Sequence, residues 1–382
     1  MTTAWIAAHR AAVISPDESF HLTEPRGFAG QTLRQSLRPA GGGEAVRILL
    51  GNRYGRTPVE IGGAHLATRT TGHGIDPATG ATLTFAGAPT AEIPAGGELV
   101  SDPVERPVTA GEELTVTLYL PGDTGPTAYT AVPYDTGHTA PGEQLTAAHL
   151  HGAEEVTTGH FVIGADVRAP AGTRIAVAFG DSWIEGAATT PGSAGSFPAR
   201  LSRRLTRGWI VNQGISGNRL LTDEIGEHLL ARVDHDVLTV PGVSHVLVHI
   251  GLNDLGMPGF RAHPEPADGA TAAELVTGLT ALAGRLHAAG LTAVGCTIGP
   301  YRGTVYDGYD TEAGQSARRE VNAWLLGDTH PFDAVVDVAA AVADPAEPER
   351  IRAAFDSGDG LHVNDAGARA IADAVDLSSL PL

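Results

Sequence analysis

Hydrophobic residues recur along the chain with two different periods, and the change between them falls near residue 170. In the first stretch, short apolar runs alternate with clusters of Gly, Pro, Thr and Asp. The clearest is ELTVTLYL, where Leu114, Val116, Leu118 and Leu120 point one way and Thr115, Thr117 and Tyr119 the other, the signature of a half-buried strand. AVRILLG and PVEIGGAHLATR add further strands, and no helical pattern of comparable length interrupts them. Residues 1–170 are therefore expected to form a β-sandwich of jelly-roll-like type.

After the linker-like RAPAGT, apolar strands alternate with amphipathic segments. IAVAFGD, WIVNQGI, HVLVHIGLND, TAVGCTIGP and AVVDVA read as five strands. FPARLSRRLTR, EHLLARVDHDVL, AAELVTGLTALAGRLHAAG and the segment around QSARREVNAWLL carry apolar residues at the three- and four-residue spacing of helices. This alternation predicts an α/β domain over residues 171–382 with a doubly wound parallel sheet. A length of 382 residues agrees with two domains, since single cores rarely grow beyond roughly 250–300 residues.

In open parallel sheets the active crevice lies beyond the carboxyl ends of the strands. There, Gly180-Asp181-Ser182 follows IAVAF, Ser216-Gly217-Asn218 follows WIVNQGI, and Asn253-Asp254 follows HVLVHIG, while a late loop carries Asp359-Gly360-Leu361-His362. Acyl transfer needs a nucleophile, a base to take its proton, an orienter for that base and donors for the oxyanion. Ser182 supplies the hydroxyl, His362 the imidazole, and Asp359 a carboxylate to hold the useful tautomer. Asn253 supplies a side-chain amide, and the backbone N–H groups of Ser182 and Gly217 complete a candidate oxyanion hole, glycine allowing close main-chain approach. Trp183 and Glu185, just after the serine, are candidate substrate-binding residues.

These four segments match, in order and spacing, the blocks that mark the SGNH/GDSL hydrolase superfamily, which the chain resembles over roughly residues 173–382. GDS at 180–182 matches the nucleophile block, NQGISG the glycine block, GLND the asparagine block and DGLH the Asp-x-x-His block. The resemblance implies a five-stranded flavodoxin-like α/β/α sandwich and ester hydrolysis with no metal and no cofactor. It also places the serine, glycine, asparagine and histidine roles on Ser182, Gly217, Asn253 and His362. Trp183 stands where the family usually has an aliphatic residue. GQTLRQSLRP, RILLGNRYGRTPVEIGGAHLA and the terminal AVDLSSL resemble a subset in which a β-rich domain precedes the catalytic one.

Composition narrows the substrate. With 25 basic and 44 acidic residues the net charge is −19, which disfavours nucleic acid, anionic membrane surfaces and polyanions, and leaves small-molecule, glycan or lipid esters of little charge. Every basic residue is Arg, so Schiff-base chemistry, a P-loop lysine, a pyridoxal phosphate anchor and a Ser-Lys dyad are excluded. Cys296 is the only cysteine, which excludes an intramolecular disulfide, a thiolate zinc site and an iron–sulfur cluster; within TAVGCTIGP it reads as a core thiol. The start MTTAWIAAHRAAV lacks the basic and apolar regions of a signal peptide, and no run approaches the roughly 18 apolar residues of a membrane span. A cytoplasmic location is expected, or a secreted one if a leader has been removed.

Each residue also has a plainer reading. A Ser after a strand usually caps a helix, Asp359 suits a turn, and His362 suits a surface; the four blocks together favour catalysis. Asn364 reads as the cap of the last helix, and Asp181 and Asp254 as local shapers of their turns. His245 and His249 share a strand face, but with no third ligand evident they read as packed or hydrogen-bonded histidines. The loops MPGFRAHPEPADG and YRGTVYDGYD are surface connections or, functionally, substrate-facing walls. Hydrolysis through an acyl-serine is the leading function. The alternatives are an acyltransferase using the same intermediate and a glycan-binding protein with a degenerate hydrolase domain. No G-x-S-x-G elbow occurs, which disfavours the other large class of α/β-hydrolases.

Overall fold

The run ELTVTLYL forms the strand Leu114–Leu120 in the computed structural model, which describes residues 2–263 and 267–382. It belongs to the first of two compact units, Met1–Thr173 and Arg174–Leu382. The first unit is β-rich and its sheets are antiparallel. A six-stranded sheet runs in the order Glu154–Val156, Gly137–Pro141, Gln31–Leu37, Leu114–Leu120, Gly63–Arg69 and Ile75–Leu83. A four-stranded sheet runs Thr3–Arg10, Val162–Pro170, Val46–Gly51 and Glu98–Val100.

Leu114–Leu120 is not half-buried as its alternation predicts, because Thr115 and Thr117 are buried as well as the four apolar residues. Arg34, on the neighbouring strand, lies over this face. It donates to the Thr117 hydroxyl at 3.0 Å and to the carbonyls of His73 and Ala147 at 2.9 and 2.8 Å. Burial lowers its pKa to about 10. Polar residues under a covering loop satisfy one another, so alternation alone understates burial.

In the second unit five strands form an all-parallel sheet: β1 (Ile175–Gly180), β2 (Ile210–Gly214), β3 (Val243–His249), β4 (Thr292–Cys296) and β5 (Ala334–Val336). The spatial order is β2-β1-β3-β4-β5, the expected flavodoxin-like arrangement. β1 is buried along its whole length, as parallel strands covered on both faces must be. The long helices are α5 (Ala272–Ala288) and α6 (Glu312–Leu325). α5 opens with a reciprocal cap, Thr271 accepting from the Glu274 N–H while Glu274 accepts from the Thr271 N–H, and buries Leu275, Leu279, Leu282 and Leu286 on one face.

Short helices were less legible. α1 (Ser182–Glu185), α4 (Leu252–Gly256) and α7 (Val338–Val342) span one turn or little more, too short to show a period. FPARLSRRLTR is helical only as α2 (Phe197–Ser202). EHLLARVDHDVL forms α3 (Leu229–Val233) and then widens into a π-type turn over Asp234–Leu238. α8 (Asp365–Ala374) is capped by Asn364, whose side chain accepts from Ala366 and Gly367, as expected. The chain leaves β1 for β2 on one side and then returns to β3 on the other, so the sheet's topological switch point lies at the end of β1.

Candidate active site

The parallel register sets three strand ends side by side. Gly180 pairs with Gly214 on β2 and with His249 on β3, so the segments that follow leave the sheet at one level. Gly180 must be glycine: a Cβ there would come within 1.9 Å of the His249 carbonyl oxygen. Ser182, Gly217 and Asn253 lie two to four residues beyond these ends.

Ser182 opens α1, and Asp181 caps that turn by accepting from the Trp183 N–H at 3.0 Å. The Ser182 hydroxyl lies 3.0 Å from His362 Nε2, and His362 Nδ1 lies 2.7 Å from Asp359 Oδ2. Asp359 Oδ1 accepts from the backbone N–H groups of Leu361 and His362 and from the Ser357 hydroxyl. Burial alone would raise the Asp359 carboxyl; the hydrogen bond and charge of His362 and the backbone donors outweigh it and hold it well below the usual range. It therefore stays anionic through the whole range in which an imidazole titrates.

Gly217 adopts φ +81°, and a Cβ there would meet Ile225 Cδ1 at 2.4 Å. Asn253 is buried and its orientation is fixed at both ends: Oδ1 accepts from the Tyr309 hydroxyl at 2.9 Å and Nδ2 donates to the Asn218 carbonyl at 3.0 Å. Burial keeps the Tyr309 phenol well above its ordinary pKa, so it remains a donor. The glycine and asparagine blocks are thus bonded to each other directly. Asp254 does more than bond locally at its own backbone N–H: it reaches across to accept from the N–H groups of Leu220 and Leu221. Burial raises its pKa to about 6 against the pull of those donors.

Trp183 is 3% exposed, its ring stacks on His249 at 5.0 Å, and its Nε1–H donates to the Leu361 carbonyl at 3.0 Å. A large ring is accommodated because Gly299 offers no side chain against it. Its indole thereby ties the serine turn to the loop that carries His362. Glu185 accepts from both the N–H and the hydroxyl of Ser216, tying the same turn to the glycine block. His249 binds Asp181 and His245 binds Ser244, as hydrogen-bonded histidines do. Sequence reasoning missed Arg232, Tyr309 and Tyr306. Arg232 looks like the polar side of an amphipathic helix, whereas both tyrosines fall in YRGTVYDGYD, already marked as a candidate wall. Of the other marked loop, residues 264–266 lie outside the described residues.

The fold and the four blocks at its carboxyl edge define a flavodoxin-like hydrolase. A model of the GDSL-like lipase/acylhydrolase family matches residues 178–370, and the chain belongs to that family. Solved structures similar to it include an aryl esterase from M. smegmatis, 16% identical over 53% of this chain and 95% of that one, with a TM-score of 0.40. A carbohydrate acetylesterase from Sinorhizobium meliloti is 15% identical over 54% and 99%, at 0.41. A variant of an acetyl-xylooligosaccharide esterase from Geobacillus is 20% identical over 55% and 94%, at 0.40. A search of curated proteins finds no significant match. No helix among the described residues is long and apolar enough to cross a membrane.

Two outcomes follow from this geometry. Trp183→Phe keeps a ring against His249 but removes the indole donor, and should lower kcat about 3–10-fold with KM within about twofold, the scale of one buried hydrogen bond; an unchanged kcat would show that the link to Leu361 does not position the site. Between about pH 4 and 6 the folded chain holds a proton on Asp254 that the unfolded chain releases, so this group makes stability fall as pH rises through that window. The stability of wild type relative to Asp254→Asn, from urea denaturation, should accordingly increase as pH is lowered from about 7 to about 4.5. A difference constant with pH would contradict the raised pKa.

Proposed function

We propose that the chain hydrolyses carboxylic esters by covalent catalysis, with Ser182 as nucleophile, His362 as general base and acid, and Asp359 as its orienter. The observation that carries this is the continuous relay from the Ser182 hydroxyl through both nitrogens of His362 to an anionic Asp359, at 3.0 and 2.7 Å. His362 Nε2 accepts the serine proton as Oγ attacks the ester carbonyl, and the charge on the imidazolium is stabilised by Asp359. The carbonyl oxygen becomes an oxyanion, for which the N–H groups of Ser182 and Gly217 and the Asn253 amide are the donors. Collapse of the tetrahedral intermediate breaks the bond to the alcohol oxygen, which takes the proton from Nε2. Water, deprotonated by the same nitrogen, then releases the acid and restores Ser182.

An acidic chain supports an uncharged small-molecule or glycan ester as substrate. The intact relay, and the two bonds that orient Asn253, support catalysis over a degenerate scaffold that only binds. Kinetics on a soluble acetate ester test the assignment. Asp359→Asn should fold and lose about 10–10⁴-fold in kcat through the wrong imidazole tautomer. Asn253→Ala should lose about 10²–10³-fold in kcat with KM changed only about threefold, because a fixed amide favours the oxyanion over the ground state. Wild-type turnover in both variants would refute the roles given to these residues.

A further inference from the structure

The leaving alcohol and the base must meet, and the chain shows what stands there. When the acyl–oxygen bond breaks, the electron pair goes to the alcohol oxygen, which takes its proton from His362 Nε2. That oxygen is then within hydrogen-bond reach of Nε2, and its substituent lies beside the imidazole. Tyr306 stands edge-on to that imidazole, with ring centres 6.4 Å apart, and Phe260 meets Tyr306 edge to face at 5.8 Å. Val305, at 66%, is the most exposed large apolar side chain among the described residues. Its backbone N–H donates to the Asp359 carbonyl at 2.9 Å, as does the Thr304 hydroxyl, so this loop is fastened to the one that carries the base. An exposed ion pair, Arg261 with Asp307 at 2.9 Å, lies beside Phe260 and Tyr306 in sequence and forms a polar border. Phe260 and Tyr306 are half-buried, the Tyr306 hydroxyl donates to Asp359 Oδ2 at 3.4 Å, and Val305 is exposed, so apolar groups with a polar border stand beside the base, as they do in a substrate subsite.

We propose that Phe260, Val305 and Tyr306 form the subsite for the alcohol part of the ester and that it selects apolar, ring-bearing alcohols. The inference rests on the roles proposed above for Ser182 and His362. By microscopic reversibility the same ledge takes an acceptor alcohol: its proton goes to His362 Nε2, its oxygen forms the new ester bond, and Ser182 Oγ departs.

This reversal gives a test free of leaving-group effects. With a nitrophenyl acetate as common donor, one acetyl-serine is offered either 2-phenylethanol or ethanol, whose hydroxyls are alike, and the acetate esters formed are measured beside acetate released. Wild type should transfer to 2-phenylethanol about tenfold faster than to ethanol, which corresponds to burying roughly 55 Å² of apolar surface. Val305→Ser and Tyr306→Ala should each bring the ratio toward unity. Leu326→Ser removes another strongly exposed apolar side chain, at the end of α6, and should keep the ratio. If Tyr306→Ala does not fold, Val305→Ser decides alone. Equal transfer to the two alcohols, no ester from 2-phenylethanol while acetate is still released, or a ratio unmoved by folded ledge variants would overturn the alcohol subsite and leave the serine mechanism standing. Failure of wild type to release acetate from any such donor would instead overturn the serine mechanism, and this inference with it.

Discussion

The crevice at the sheet edge depends on one buried cation. Arg232, 1% exposed, donates to the Gly180 carbonyl at the end of β1, to the Gln213 carbonyl at the end of β2 and to the side-chain oxygen of Asn218. Its charge is met by Asp236 at 2.8 Å, and its guanidinium lies over the Phe179 ring. The Gly180 carbonyl already accepts from the Ile215 N–H at 3.0 Å, and the planar fork of one arginine adds a donor to it and to the Gln213 carbonyl, using the second acceptor position a carbonyl offers, while fixing the loop that receives the Asn253 amide. The π-type turn after α3 contains Asp236, so a local widening of the helix sits where the buried charge needs its counter-ion. Removing either partner would leave an uncompensated charge at the foot of the site.

From that foundation two further ties reach the late loop. Trp183 bonds the Leu361 carbonyl, and Ser182 itself contacts His362, 180 residues away in sequence. The loop holds its own shape because Asp356 accepts from Gly358 and Gly360 while Asp359 accepts from Leu361 and His362. Asp359 is therefore both a turn residue and the partner of the imidazole, and its two readings from sequence are not exclusive. A carboxylate oxygen used to fix the backbone leaves the other, Oδ2, aimed at Nδ1.

The sheet and its order of blocks were legible because a parallel strand buried on both faces reads as a continuous apolar run, and because the crevice of such a sheet falls where each run ends. Ser182, Gly217 and Asn253 stand just beyond strand ends, where that rule points, whereas His362 in its late loop was marked only by its match to the blocks. The supports could not. Arg232 acts through carbonyls, and no side-chain pattern reports where a carbonyl points. Trp183 follows the serine directly, yet its burial depends on Gly299, more than a hundred residues on, and on the ring of His249. Asp254 is adjacent to Asn253 in sequence but serves a loop on another strand. Residues at the strand ends announce themselves by type and place; those that brace them are visible only in three dimensions.

The central claim is that acyl transfer passes through Ser182. Acid quench of wild type during turnover of an acetate ester, followed by peptide mapping, tests it most directly. An acetyl group on the peptide containing Ser182, absent in Ser182→Ala and accumulating in Asn253→Ala if deacylation is slowed more than acylation, is the predicted result. Ester cleavage at undiminished rate by folded Ser182→Ala, or an acetyl group found only on another residue, would contradict the account.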